Sequence, residues 1–128
     1  MKNIYVIIGL VVLIAVTGGV LAWKSSNQGP GQLDGFAQCI KDKGAVFYGA
    51  FWCPHCQNQK MEFGSSAKYL PYVECSTPDG QEQTQECKDK EIKSYPTWTF
   101  ANGDKQLGEI SLSDLASRTG CVLPQGNQ

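Results

Sequence analysis

A strand that passes directly into two closely spaced cysteines is the feature that most constrains how this chain can fold. The run from Val46 to Phe51 is short, apolar and aromatic, which is the composition of a buried strand. It leads through Trp52 into Cys53-Pro54-His55-Cys56, after which residues 57–68 are predicted to form a helix. Proline lacks a backbone N–H and is tolerated in the first turn of a helix. Both cysteines are therefore predicted to lie where a strand meets a helix N-terminus.

This position favours redox chemistry. The unpaired N–H groups and the dipole at a helix N-terminus stabilise a negative charge, and a thiolate carries one. Cys53 is therefore the candidate nucleophile, and Cys56, one turn further into the helix, is the candidate resolving thiol. Pro54 and His55 are expected to set the redox properties, because a protonated imidazole beside Cys53 would stabilise the reduced pair. The alternatives are that Cys53 and Cys56 form an inert pair and that His55 is a solvated helix residue without effect on them.

The cysteine content indicates the compartment. The chain has 128 residues and six cysteines, and all six follow residue 38, which is typical of an oxidising environment. A zinc site would need two ligand pairs, but there is one Cys-x-x-Cys motif and the single histidine lies inside it. A formal charge of −1 and the lack of a basic patch argue against nucleic-acid binding. No cofactor or metal is predicted; the redox group is the Cys53–Cys56 disulfide itself.

Four cysteines remain outside the motif, and they allow three pairings: Cys39, Cys75, Cys87 and Cys121. Cys75 is predicted to end a strand and Cys87 to lie in the next helix, across a polar loop. Closing such a loop stabilises a fold by about 2–4 kcal/mol in the chain-entropy model. Pairing Cys75 with Cys87 leaves Cys39, on the first helix, for Cys121, just after the last. The alternative to two structural disulfides is a second redox relay through Cys75 and Cys87.

The first part of the chain differs from the rest. The segment from Ile4 to Trp23 is twenty residues long and carries no charge, and a helix of that length spans about 30 Å, the thickness of a bilayer core. A cleaved signal peptide ending near Ala22 is the alternative, although its apolar region usually has only about 7–15 residues. Because the cysteines need an oxidising environment, we expect a single-pass protein of the cell membrane with its domain on the extracytoplasmic side. The predicted segments are an anchor or signal-anchor (1–24), a flexible linker (25–32), a folded domain (33–122) and a tail (123–128).

Apolar periodicity, capping residues and turn residues predict the remaining elements. A first helix is expected to be capped by Asp34 and ended by Gly44, and Met61 and Phe63 are expected on the apolar face of helix 57–68. The other predicted elements are a strand at 69–75, a helix at 84–93, a hairpin of 97–101 with 106–110, and a last helix that Ser111 or Ser113 caps and Gly120 ends.

The chain resembles the thioredoxin superfamily through Phe51-Trp52-Cys53-Pro54-His55-Cys56 and Tyr95-Pro96-Thr97. Residues 44–56, 72–75 and 94–98 look like the thioredoxin-like domains fused to, or encoded beside, bacterial vitamin K epoxide reductase homologues. The resemblance covers about residues 33–121. It implies an α/β, minimal thioredoxin-like fold, in which helices flank a central mixed four-stranded sheet. It also implies that the first two strands are parallel and that the hairpin is antiparallel at one edge. The uncharged segment at 4–23 predicts one N-terminal transmembrane helix in front of this fold.

The same resemblance implies a function. It suggests a membrane-tethered thiol–disulfide oxidoreductase that exchanges disulfides with exported proteins and is reoxidised by a vitamin K epoxide reductase-like membrane protein. It implies that Cys53 is the more exposed cysteine and that the bond before Pro96 is cis, which would leave backbone groups of Tyr95 free to pair with a substrate strand. The rival interpretations are an extracytoplasmic reductase of the cytochrome-maturation type and a non-catalytic binding module with the same fold.

One position departs from the family pattern. Thioredoxins carry a buried aspartate where this chain has Phe47, and that aspartate moves protons for the buried thiol. Glu74, on the neighbouring predicted strand, could take over this role, or it could be a solvated charge at the sheet edge. The loss of the aspartate makes a thioredoxin-type reductase a less favoured interpretation.

Overall fold

A computed structural model describes residues 31–126 of the chain. Its elements, in chain order, are α1 (Asp34–Asp42), β1 (Val46–Gly49), α2 (Pro54–Glu62), a 3-10 helix (Gly64–Tyr69), β2 (Tyr72–Glu74), α3 (Gln85–Asp89), β3 (Thr97–Thr99), β4 (Lys105–Leu107) and α4 (Leu112–Thr119). The predicted anchor at 1–24 lies outside the described residues. Within residues 31–126, no helix is long and apolar enough to cross a bilayer.

The four strands form one mixed sheet in the order β2-β1-β3-β4. β1 runs parallel to β2, with Phe47 opposite Tyr72, and antiparallel to β3, with Phe47 also opposite Trp98. β4 extends the edge antiparallel to β3. This arrangement confirms the predicted α/β architecture, with a parallel first pair of strands and an antiparallel hairpin.

The core is built on aromatic side chains of the central strands. The rings of Phe47 and Trp98 stack with their centroids 4.8 Å apart, and both side chains are fully buried. A second stack joins Phe36 of α1 to Phe63, at 6.0 Å. Stacked and edge-on aromatic pairs contribute about 0.5–1.5 kcal/mol beyond the area that they bury. The aromatic residues around the motif therefore fix β1 between its neighbours.

The helix after the cysteines is shorter than the sequence predicts. α2 ends at Glu62, because Gly64 adopts a left-handed backbone with φ of 53° and the chain continues as the 3-10 helix. The buried face of α2 is formed by Cys56 and Gln59 and continues to Phe63 beyond the helix end. Met61 lies on the opposite face and is 68% exposed, so of the two apolar positions predicted for this helix only Phe63 is buried.

Other element ends also differ from the predictions. Leu33, rather than Asp34, is the N-cap of α1, and the Asp34 carboxylate accepts a hydrogen bond from the N–H of Gly31. Ser111 caps α4 by accepting from the N–H of Asp114, and Gly120 ends that helix at φ of 71°, both as expected. β2, α3 and the hairpin strands are each shorter than predicted, because turn and loop residues take up their ends.

Two disulfides hold the periphery. Cys39 of α1 is bonded to Cys121, which follows α4, and Cys75 after β2 is bonded to Cys87 of α3. These are the two pairings that the sequence favours from the places of the cysteines in and after the predicted helices and strands. Cys75 and Cys87 are fully buried, and a sulfur without solvent access cannot meet the thiolate of another protein. Their burial supports a structural role over the redox relay considered above.

Gln59 connects α2 to the sheet and to the last loop. Its side chain is fully buried, and its Oε1 accepts from the indole N–H of Trp98 at 3.2 Å and from the N–H of Ile110 at 2.8 Å. Its Nε2 donates to the carbonyl of Ile110 at 3.0 Å and to Glu62 at 2.7 Å. The amide oxygen of Gln59 thus accepts two hydrogen bonds and its amide nitrogen donates two, so this buried group is fully paired.

We expect Gln59→Leu to lower the free energy of unfolding by about 3 kcal/mol, because it leaves the buried N–H groups of Trp98 and Ile110 without an acceptor. Urea denaturation, with the Cys53–Cys56 pair in one fixed redox state, would measure the loss. Gln85→Leu is the matched control, since Gln85 is exposed on α3 and should change stability by no more than about 0.5 kcal/mol. Equal losses in the two variants would contradict the role given to Gln59.

Candidate active site

The loop between β1 and α2 places the two motif cysteines differently. Cys53 is the N-cap of α2 with an extended backbone, and Pro54 occupies the first helical turn, as the sequence predicts. Cys56 lies one turn further on and is 1% exposed, whereas Cys53 is 5% exposed. Both are free thiols in this structure. The helix N-terminus and its unpaired N–H groups are therefore at Cys53, and the protein interior is at Cys56.

The segment before β3 closes the site from the other side. The Tyr95–Pro96 peptide bond is cis, as the resemblance implies. The Sγ of Cys53 donates a weak hydrogen bond to the carbonyl oxygen of Tyr95 at 3.7 Å. Cys53 and Tyr95, which are 42 residues apart in sequence, thus meet at this sulfur. Pro96, next to Tyr95, is fully buried.

Burial controls the acidity of Cys56. Burial, and to a smaller extent a hydrogen bond with Cys53, raises the pKa of Cys56 to about 12. Close packing is possible because Gly49 has no side chain: a Cβ there would lie 2.9 Å from both the Cys56 Sγ and the Cε2 of Tyr72. Gly49 therefore lets the Tyr72 ring and the Cys56 sulfur approach the same stretch of β1.

His55 points to a partner that sequence reasoning missed. Its Nδ1 lies 2.6 Å from Oε1 of Glu109, in the loop before α4, and Asn58 donates to the same oxygen at 3.3 Å. The hydrogen bond with His55 and, to a smaller extent, that with Asn58 lower the pKa of Glu109. The imidazole of the motif is thus paired with a carboxylate, which offsets the charge that a protonated His55 would present to Cys53. A separation of 54 residues left no local signal for this pair.

Glu74 is engaged by the active-site loop, so it is not a solvated charge at the sheet edge. Its Oε1 accepts from the backbone N–H groups of Phe51 at 3.2 Å and Ser76 at 2.9 Å. Its Oε2 accepts from the Tyr72 hydroxyl at 2.7 Å. The carboxylate therefore ties the residues before Cys53 to the chain that follows β2.

The loop closed by Cys75–Cys87, residues 76–86, forms a wall of the site; we call it the disulfide loop. Ser76 Oγ accepts from the indole N–H of Trp52 at 2.9 Å, and Gln83 Nε2 donates to the Tyr95 hydroxyl at 2.7 Å. The rings of Trp52 and Tyr95 meet edge to face at 6.0 Å. Phe51 and Trp52 remain about half exposed, at 49% and 50%. The disulfide loop thus holds an accessible aromatic surface beside Cys53.

Chemically, this arrangement suits thiol–disulfide exchange. The sulfur at the helix start can be attacked or can attack, and the sulfur behind it can close or open the intramolecular disulfide. Among the residues that the structure describes, no three His, Cys, Asp or Glu side chains are grouped so that they could hold a metal ion.

A mixed four-stranded sheet with a Cys-x-x-Cys pair at the start of a helix defines the class of protein, a thiol–disulfide oxidoreductase domain. Comparison with protein families agrees: the thioredoxin family model matches residues 32–117. The chain belongs to the thioredoxin family and is an oxidoreductase.

Curated relatives are similar to this chain over part of its length. The chain is 46% identical over 98 residues to the thiol-disulfide oxidoreductase LTO1 of Arabidopsis thaliana, covering 72% of this chain and 25% of the relative. Thioredoxin domain-containing protein 2 is 34% identical in Mus musculus and 31% in Rattus norvegicus, each over 83 residues and 59% of this chain, and over 16% and 14% of the relative. The chain therefore spans at most about a quarter of the length of these relatives.

The hydrogen bond between Ser76 and Trp52 can be tested directly. We expect Ser76→Ala to accelerate hydrogen exchange of the Trp52 indole N–H about fivefold, the factor for a hydrogen bond contributing about 1 kcal/mol. Two-dimensional NMR of the indole N–H resonances would measure the rate. The Trp98 indole is the internal control, because it donates to Gln59 in the core and should exchange as in the unsubstituted protein. An unchanged Trp52 rate would show that the disulfide loop does not restrain this ring.

Proposed function

We propose that this protein is a membrane-tethered oxidase that passes the Cys53–Cys56 disulfide to exported proteins. In the first step a substrate thiolate attacks Cys53, the Cys53–Cys56 bond breaks and Cys56 leaves as a thiolate. A second substrate thiolate then attacks the substrate sulfur of the mixed disulfide and releases Cys53. The substrate gains a disulfide, and the cysteine pair gains two electrons and, from water, two protons.

The observation that carries this proposal is the different placement of the two sulfurs. Cys53 is at a helix N-terminus and in contact with the Tyr95 carbonyl beside Pro96, where a substrate strand would bring its own sulfur. Cys56 is behind it and buried. A substrate can therefore reach one sulfur first, and the half-exposed Phe51 and Trp52 provide apolar contact for an unfolded chain.

Three features of the described residues support the direction toward oxidation. Phe47, which is fully buried, occupies the position where thioredoxins carry a proton-transferring aspartate. Protonated His55 would favour the reduced pair and so make the disulfide more oxidising, to the extent that Glu109 does not cancel its charge. The two structural disulfides suit an oxidising compartment.

The membrane partner belongs to the same proposal. An oxidase must be reoxidised after each cycle, and we propose that a vitamin K epoxide reductase-like membrane protein, using quinone, accepts the electrons of the reduced pair. The motifs at 44–56, 72–75 and 94–98 that resemble domains associated with such proteins support this assignment. Residues 4–23 would hold the domain close to that partner, on the extracytoplasmic side of the membrane.

Trapping experiments test the oxidase mechanism. We expect Cys56→Ser to accumulate mixed disulfides through Cys53 with exported proteins, because Cys53 can still attack a substrate disulfide while the thiol that would release the substrate by closing the Cys53–Cys56 bond is missing. Cys53→Ser is the matched control and should trap few, since Cys56 is buried. Non-reducing gel electrophoresis followed by mass spectrometry of the cross-linked peptides would identify the bonds. Equal trapping by the two variants would overturn the assignment of Cys53, and reduction of insulin without oxidation of a reduced substrate protein would favour the reductase interpretation.

Membrane tethering has its own test. We expect the full chain to stay in the membrane pellet after alkaline carbonate extraction, because twenty uncharged residues would be buried in the bilayer. A chain beginning at residue 31 should be released under the same conditions and serves as the control. A soluble product whose N-terminus lies near Trp23 would show that the segment is instead a cleaved signal peptide.

A further inference from the structure

Lys60 lies next to the buried cysteine in the active-site helix. It is four residues after Cys56 in α2, and residues at this spacing share one face of a helix. Its Nζ is 3.3 Å from the centroid of the Tyr72 ring. Tyr72 itself packs beside Cys56, since both would contact a Cβ at Gly49. The ammonium group, the aromatic ring and the buried sulfur thus form one contiguous cluster.

The charged and titratable groups around Cys56 come from two elements. From its own helix they are Cys53 and Lys60, and from β2 they are Tyr72 and Glu74. The Tyr72 hydroxyl donates a hydrogen bond to Glu74 at 2.7 Å. Burial and, to a smaller extent, that hydrogen bond raise the pKa of Tyr72. Tyr72 therefore stays neutral, and Glu74 is occupied by the backbone N–H groups of Phe51 and Ser76. Lys60 is the positive charge that acts on Cys56.

Resting on the proposed oxidase function, we propose that Lys60 assists each exchange step in which Cys56 carries a negative charge. When a substrate thiolate attacks Cys53, the Cys53–Cys56 bond breaks and its electron pair goes to Cys56 beside the ammonium group. In the reverse step, the Cys56 proton passes to water and the thiolate attacks the Cys53 sulfur. The bond from Cys53 to the substrate then breaks, and the departing thiolate takes a proton from water. Lys60 exchanges no electrons and stays protonated throughout.

The electrostatics of the cluster fit this role. Burial raises the pKa of Cys56, and the charge of Lys60 acts in the opposite direction. Burial lowers the pKa of Lys60, and the nearby Glu74 and Cys56 offset part of that shift. The face of the Tyr72 ring favours the ammonium form as well. With Phe47 where a proton-transferring acid could stand, the cation that α2 supplies stabilises the Cys56 thiolate.

The second step of a reaction with Ellman's disulfide isolates Cys56. Reduced full-length protein in detergent, mixed with one equivalent of the reagent, should release a first thionitrobenzoate when Cys53 attacks and a second when Cys56 closes the disulfide. We expect Lys60→Met to slow the second phase about tenfold at neutral pH, the factor for one pKa unit. Its rate-against-pH profile should move to higher pH, while the first phase is unchanged. Lys60→Arg, which keeps the charge, should restore most of the rate.

Lys68→Met is the matched control, because Lys68 also lies over a tyrosine, 5.1 Å from the ring of Tyr69, but in the 3-10 helix. It should leave both phases as in the unsubstituted protein. A second phase that is unchanged in Lys60→Met would overturn this inference, as would equal slowing in Lys60→Met and Lys60→Arg, which would indicate packing instead of charge. A reduced protein that releases no first thionitrobenzoate from Cys53 would overturn the proposed function itself, and the role of Lys60 with it.

Discussion

The geometry of the site depends on how α2 is fixed against the sheet, and the buried amide of Gln59 provides the fixed point. A helix with a reactive sulfur at its N-cap must not slide, because a shift of one residue turns it by about 100° and would take Cys56 off the buried face. Gln59 prevents this by holding Trp98 of the central sheet and both backbone groups of Ile110. Since Gln59 is three residues after Cys56, the same contacts set the depth of the resolving sulfur.

The two sulfurs differ because one helix presents them to two environments. Cys53 is at the end where unpaired N–H groups favour an anion, and Cys56 is one turn inside, where burial opposes it. Charges from the rest of the chain then adjust each side separately. His55 and Glu109 lie at the surface near the first sulfur, and Lys60 lies over Tyr72 near the second. The motif places the two sulfurs in different environments, and the charged residues near each sulfur determine how large the difference is.

Local chemistry could be predicted from the sequence, and contacts between distant residues could not. The strand-to-helix placement of Cys53, the αL cap at Gly120 and the order of elements follow from residues close in sequence. The predicted helix at 57–68 extends past the end of α2, because Gly64 adopts a left-handed backbone and the chain continues as the 3-10 helix. Glu109 and the acceptor oxygen of Gln59 lie 39–54 residues from their partners, and no pattern in one sequence indicates such pairs. Lys60 differs, since its i+4 spacing from Cys56 was visible in the sequence.

Two reactive thiols share this small domain with the Cys75–Cys87 disulfide, whose sulfurs are fully buried. The Cys75–Cys87 bond is sealed in its own cluster with Tyr48 and Ile92, yet its loop supports Trp52 and Tyr95 beside Cys53. The Cys53 sulfur contacts the Tyr95 carbonyl, and the side chains of Trp52 and Tyr95 beside it are held by Ser76 and Gln83 of the disulfide loop. The buried structural bond therefore shapes the surface that a substrate would meet.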